Sequence, residues 1–353
     1  MNSHPAPTPP PMLNPASLEA YTIAWICALD EEYVAAYHML DKRYPCPAAL
    51  NGKNTHGYIF GSIGGHYIVI ARLLPGRPGD NSAARVGADV SQIFPNLRFA
   101  VLVGIGGGAP SRKHDIRLGD VVVSQPQGVR AGVVNCGQRV ADFKDPPLAP
   151  LNVLMEMIRQ HNDVRFPDQI AQHLRRMDGV SGFQRPRVDL LFESKYRHVG
   201  GGSCGGCSPS KVVKRPERRV HRSVPAHYGT IGSVDYALTY ADARDRYAQD
   251  PKLNILCFDM EAAGLSSVMP SLVVRGISNY CDSHKNDDWR GYAALAAAAY
   301  TRELLLVLKP QQVKYMPDYP PESRRMPQPQ PQAPPTMTGG RQKPPRTKKF
   351  KLF

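Results

Sequence analysis

No run of this chain approaches the roughly 18 uninterrupted apolar residues of a membrane-spanning helix, so its 42% apolar content points to an ordinary buried core. The opening stretch, MNSHPAPTPPPMLNPASLEA, lacks the charged start and apolar segment of a secretory signal. Its prolines make residues 1–20 read as a disordered lead. Cysteine is scarce and odd in number, seven in 353 residues. Without a signal, that usage fits reduced thiols of the cytosol, or of the nucleus, rather than a disulfide framework. The glycine run after residue 103, GIGGG, is not the GxGxxG fingerprint, and no acid follows at the dinucleotide spacing, which excludes a Rossmann cofactor site.

What is abundant is positive charge, a net +14, and its distribution decides its meaning. Residues 195–227 carry eight Lys or Arg against one Glu, and residues 311–353 carry nine against Asp318 and Glu322. These two segments account for the whole excess, so the rest of the chain is neutral. A neutral body with two basic, flexible segments fits an enzyme-like domain with appendages better than a surface moulded to a nucleic-acid duplex. The ending, RQKPPRTKKFKLF, reads as a solvated tail that contacts acidic partners weakly, or as a nuclear address.

The body alternates apolar runs with helical patterns. Residues 21–28 form a β-branched, aromatic run that feeds Asp30, Glu31 and Glu32, acids suited to the first turn of a helix. Residues 56–63 and 66–73 flank Gly64-Gly65 as a β-hairpin. A strand at 97–103 ends in Gly104 to Gly108, glycines that let backbone amides approach a ligand closely. Residues 117–124 read as a turn, with Gly119 and an Asx bond from Asp120, leading into another strand. Residues 150–173 read as one helix. Within 195–226 lies a basic insertion containing His198 and Cys204-Gly205-Gly206-Cys207. A lone CxxC needs two more ligands, which His198, His221 or His227 would have to fold back to supply. A Gly-rich loop without metal is the plainer reading. After Leu308 the pattern collapses into proline, so 309–353 reads as a disordered basic tail.

Two apolar runs near the end carry the most chemistry. The run at 255–258 ends in Asp259-Met260-Glu261. The run at 272–277 ends in Ser278-Asn279-Tyr280-Cys281-Asp282-Ser283-His284, ahead of an Ala-rich helix beginning near Trp289. Ligands of open α/β sheets bind beyond the carboxyl ends of the strands, where these polar residues fall.

FDMEAAGL, VVRGISNYCDSHKND and YAALAAAAYTRELL together resemble the nucleoside phosphorylase and nucleosidase superfamily, in the spelling found in fungal proteins and in the N-terminal domain of fungal NOD-like receptors. The resemblance runs from about residue 21 to about residue 308. No NACHT, ankyrin or tetratricopeptide pattern follows it. It implies a single α/β domain over 21–308, with a central mixed β-sheet flanked by helices. It also implies cleavage of the N-glycosidic bond of a purine nucleoside, by phosphorolysis or by hydrolysis, in a homo-oligomer with no cofactor beyond phosphate as a co-substrate.

By the same resemblance Met260 and Glu261 hold the ribose, Gly106 and Gly107 touch base and sugar, and Glu32 activates the attacking water. Phe258 stacks on the base or packs in the core. Arg77 and Arg85 are the local candidates for phosphate. The phosphorylase positions for a phosphate Arg and Ser correspond to Leu102 and Ile105, which weakens phosphate as the second substrate. Where the nucleosidase pattern has Asp, this chain has Asn279. An Asp can protonate the purine N7, whereas an Asn can only donate a hydrogen bond. Loss of a general acid commonly costs on the order of 10²–10⁴ in rate. Asp282 and His284 are the alternative acids. The competing expectation is a catalytically weak domain that binds nucleoside as a sensing or interaction module.

Overall fold

The structure, a computed structural model, describes residues 14–51, 56–74, 76, 78–126, 132–137, 148–163, 165–218 and 222–317. In chain order the strands are β1 (Ile23–Cys27), β2 (Lys42–Tyr44), β3 (Ile59–Ile63), β4 (His66–Arg72), β5 (Phe99–Gly108), β6 (Val121–Ser124), β7 (Val133–Asn135), β8 (Ala226–Ser233), β9 (Ile255–Asp259) and β10 (Ser271–Asn279). The helices are α1 (Asp30–Met39), α2 (Asp80–Ile93), α3 (Leu148–Asn162), α4 (Gln169–Leu174), α5 (Ala241–Ala248), α6 (Ala262–Val268), α7 (Arg290–Val307) and α8 (Pro310–Lys314).

All the strands join one mixed sheet in the order β10-β6-β8-β9-β5-β1-β4-β3-β2, with β7 beside β8. A further pairing of β10 with β5 closes β10, β6, β8, β9 and β5 into a ring. The expected single α/β domain with a central mixed sheet is therefore observed, and its sheet closes on itself. The runs β1, β5 and β10 are buried almost throughout because helices or loops cover both faces of these strands. The hairpin of β3 and β4 turns at Gly64 and Gly65, both at positive φ, as a two-residue connection requires.

Several boundaries move. β5 does not end at Val103 but continues through the glycines, because Gly104 to Gly107 pair with β10 while Gly107 and Gly108 pair with β9. The helix expected at 150–173 breaks into α3 and α4, with Pro167 lying between them. Most of α7 is buried, and a Cβ at Gly276 of β10 would lie 1.9 Å from the Ala293 carbonyl oxygen. Alanine-rich sequence here serves close helix-to-strand approach.

The basic insertion, expected to be flexible, is pinned to the body where it is described. Arg218 pairs with the buried Asp120 at 2.5 Å, Arg215 pairs with Asp189 at 2.8 Å, and Arg222 donates to the carbonyls of Gln160, Asp163 and Phe166. Asp120 also accepts from the Arg117 amide, the Asx-type bond expected of that turn.

The expected domain boundary at Leu308 also shifts. Lys309 caps α8, and Val313 and Met316 belong to the main core cluster. Prolines stop the pattern only beyond them. Truncation after Leu308 therefore removes two buried side chains worth about 1.5–3 kcal/mol each. We expect the melting temperature to fall by roughly 5–10 °C, whereas a cut after Pro317 keeps both side chains. Equal melting curves for the two truncations would refute the docking of α8.

Candidate active site

At the carboxyl ends of β5, β9 and β10 lies a cavity of about 230 Å³. Of the residues singled out from sequence, Glu32, Gly106, Gly107, Phe258, Met260, Glu261 and Asn279 all line it. Asp282 does not. It is buried under a neighbouring cavity, where its Oδ1 accepts the His284 amide at 2.9 Å. Arg77 falls outside the described residues. Arg85 is exposed on α2 and does not line the cavity.

Glu32 reaches the cavity because α1 starts immediately after β1 and its first turn curls back on its own cap. The amides of Ala28 and Leu29 donate to Oε2 at 2.7 and 3.0 Å, and the Ile105 amide donates to Oε1 at 2.8 Å. These three bonds leave about one of the carboxylate's four lone-pair sites. Burial raises its pKa against the pull of Arg275 and the three amides.

Glu261 is the N-cap of α6. It is placed by the contact of α6 with α2, so close that a Cβ at Gly264 would meet the Asp80 carbonyl at 1.9 Å. Asp80 ties the two helices together, accepting the Gly264 amide at 2.8 Å and the Ser233 hydroxyl at 3.0 Å. Burial lifts the Asp80 carboxyl to about 6. The Gly79 amide then reaches Glu261 Oε1 at 3.3 Å. Burial, together with the neighbouring Asp259 and Glu32, pushes the Glu261 carboxyl up to about 7 despite Arg275.

Arg275 was not singled out from the sequence. It is fully buried in β10, donates to Asp259 through Nε at 2.9 Å and Nη2 at 2.5 Å, and lies 3.3 Å from Glu261. A Cβ at Gly104 would overlap both Glu32 and Arg275. The glycine thus makes room for three carboxylates around one guanidinium. A cation inside the run LVVRGI was itself the signal, since a buried charge must be paired.

Asn279 is oriented by its own loop. Its Oδ1 accepts the Cys281 amide at 2.9 Å, and its Nδ2 donates to the Ser278 hydroxyl at 3.0 Å. One N–H remains without a partner among the described residues. Cys281, at positive φ, lays its sulfur over Gly107. Burial lifts this thiol to about 12, which makes it an inert packing group. Phe258 lines the cavity and also packs with Val234, Leu238 and Ile255. The loop at 234–238, in the segment after Ser233 that the resemblance implies closes the site, forms one wall of the cavity. Arg290 also lines the cavity, engaged with Glu31 at 3.1 Å and Asp287 at 3.5 Å.

No protein-family model matches the chain. A nucleotide-binding leucine-rich repeat (NLR)-like protein of Hyaloscypha variabilis is 36% identical over 309 residues, covering 84% of this chain. The chain spans 30% of that protein's length. Among solved structures, the 5′-methylthioadenosine/S-adenosylhomocysteine nucleosidase of Helicobacter pylori superposes with a TM-score of 0.50 at 12% identity, covering 81% of this chain and 98% of the nucleosidase. Futalosine hydrolase of the same organism gives 0.49 at 14% identity, covering 82% and 99%. At 12% identity the likeness to the first of these establishes the fold alone.

Proposed function

We propose that the cavity binds a purine nucleoside and cleaves its N-glycosidic bond by hydrolysis. The observation that carries this reading is the meeting of Glu32, Glu261 and Asn279 around the glycines of β5 in one cavity. Glu261, ionised, accepts the 2′- and 3′-hydroxyls while Met260 covers the ribose. Glu32 holds a water on its remaining lone pair. As the bond between C1′ and the purine nitrogen breaks, its electron pair leaves with the base, the water oxygen bonds to C1′, and the water proton passes to Glu32. Positive charge developing on the ribose is then met by the carboxylates. Water rather than phosphate is favoured because neither arginine at the site is free, Arg290 being paired with Glu31 and Asp287 and Arg275 with Asp259 and Glu261, which leaves Lys285 as the lining cation without an ion pair among the described residues.

The second reading, a module that binds nucleoside with little turnover, draws on Asn279. Its amide can hydrogen-bond the departing purine but cannot protonate it. The remaining N–H suits the N7 or O6 acceptors of a 6-oxopurine.

Incubation with adenosine, inosine, guanosine and methylthioadenosine, with and without phosphate, followed by chromatography of base and sugar products, tests both readings. Release of base and free ribose without phosphate is expected for the enzyme, with 6-oxopurines preferred. Asn279→Asp restores a group able to protonate N7 and should raise the rate on adenosine by roughly 10²–10⁴. For a binding module, nucleoside is retained uncleaved until that substitution is made. Rapid hydrolysis of adenosine by the native chain, unchanged or impaired in Asn279→Asp, would contradict both and move the proton donor to another residue.

A further inference from the structure

The basic insertion holds a group of side chains outside the cavity just described. His198, Cys204 and Cys207 place one ligand atom each within 4.8 Å of one another. Around a tetrahedral zinc, bonds of about 2.3 Å to sulfur and 2.0 Å to nitrogen set ligand atoms roughly 3.7 Å apart, so a contraction of about 1 Å brings these three into range. The surrounding bonds suit metal ligands. The His198 ring shares Nε2 with the Ser203 carbonyl at 3.2 Å. Donation there leaves Nδ1 with its lone pair, the usual arrangement of a ligating histidine. The Val199 amide donates to the Cys207 sulfur at 3.5 Å, and the Cys207 amide to the Cys204 carbonyl at 3.0 Å. The CxxC turn is therefore already formed.

His284 is the independent observation. Its side chain is 4% exposed, its Nδ1 lies 3.8 Å from Asp282 Oδ1, and neither ring nitrogen has a hydrogen-bond partner among the described residues. The ring stacks on Phe192 with centroids 4.0 Å apart, Tyr196 lies beside the pair, and the His284 centroid lies 5.5 Å from that of His198, edge to face. Two imidazoles on one tetrahedral zinc have centroids about 5 Å apart, as the bond lengths and the tetrahedral angle require. Of the other histidines considered from sequence, His227 is bonded to Asp120 at 2.8 Å, and His221 lies outside the described residues.

We propose that His198, Cys204, Cys207 and His284 form a structural zinc site. Two soft sulfurs and two imidazoles in a closed tetrahedron are the donor set of zinc. The consequence is positional. The same His198 donates its backbone amide to the Ser283 hydroxyl at 3.0 Å, and His284 lies in the loop that follows Asn279, the last residue of β10. A metal there clips the insertion onto the loop at the end of β10.

The test uses the full chain, purified without a metal-affinity tag or chelator, with metal content measured by plasma mass spectrometry. About one zinc per chain is expected, with Cys204 and Cys207 protected from thiol reagents until a chelator is added. In Cys204→Ser/Cys207→Ser and in His284→Ala the zinc content should fall to about a tenth or less. Because a variant can fail to fold, the native protein is also loaded with cobalt(II), which should give the strong visible absorption of a tetrahedral ion and a thiolate charge-transfer band. A metal-free chain with two reactive thiols, a Cys204–Cys207 disulfide lighter by two hydrogens, or an octahedral cobalt spectrum would overturn the proposal. Undiminished zinc in His284→Ala would overturn the fourth ligand.

Discussion

Glu261→Gln is expected to lower turnover by roughly 10²–10⁴, because two hydrogen bonds to a charged acceptor, worth about 1.5–3 kcal/mol each, are weakened together. The fold should persist. Glutamine has the same shape, and Arg275 keeps its two bonds to Asp259. Base release measured beside a thermal melt separates the two effects. Wild-type activity in a well-folded Glu261→Gln variant would show that the sugar is held elsewhere. The legibility of this site follows from position. A Met-Glu pair at the end of an apolar run must lie where a strand meets a helix, and the structure places it there. What could not be read is the contact of α2 with α6 that aims the carboxylate, since residues 80 and 264 meet only in three dimensions.

Arg275→Met should be the most damaging single change to stability. Removing one partner of a buried ion pair costs about 3–5 kcal/mol, and here the guanidinium faces Glu32, Asp259 and Glu261 together. A fall in melting temperature on the order of 10 °C is expected. The pH dependence gives a second handle. Burial holds the Glu32 and Glu261 carboxyls above the ordinary glutamate range in the folded state. The folded protein therefore binds more protons than the unfolded chain, and stability falls as pH rises from that range to about 7. Without Arg275 these carboxyls rise further, so the deficit of the variant should be larger at pH 8 than at pH 5. Melting at the wild-type temperature at both values would mean the cluster is not the electrostatic centre of the domain.

Arg275 also shows why part of the site was missed. Periodicity classed residues 272–277 as a buried strand, which is correct, but it carries no information about which acids lie opposite a charge within that strand. The glycines after Val103 were read as the end of a strand because glycine usually weakens one. Pairing with β10 and β9 overrides that tendency, and the missing side chains become the space that Glu32 and Arg275 occupy. The separation of His198 from His284 in sequence hid their approach for the same reason as the pair 80 and 264.

The closure of β10 onto β5 has a further consequence for how copies of this chain could meet. A sheet closed on itself offers few unpaired backbone groups, and among the described strands those with one neighbour are β2, with Lys42 and Arg43 exposed, and β7, each three residues long. Short, charged edges discourage another strand from adding to them. Any assembly of this domain is thereby steered away from continuous sheet and towards the packing of side chains on helices and loops. Such an interface can form or part without disturbing the ring that holds the cavity.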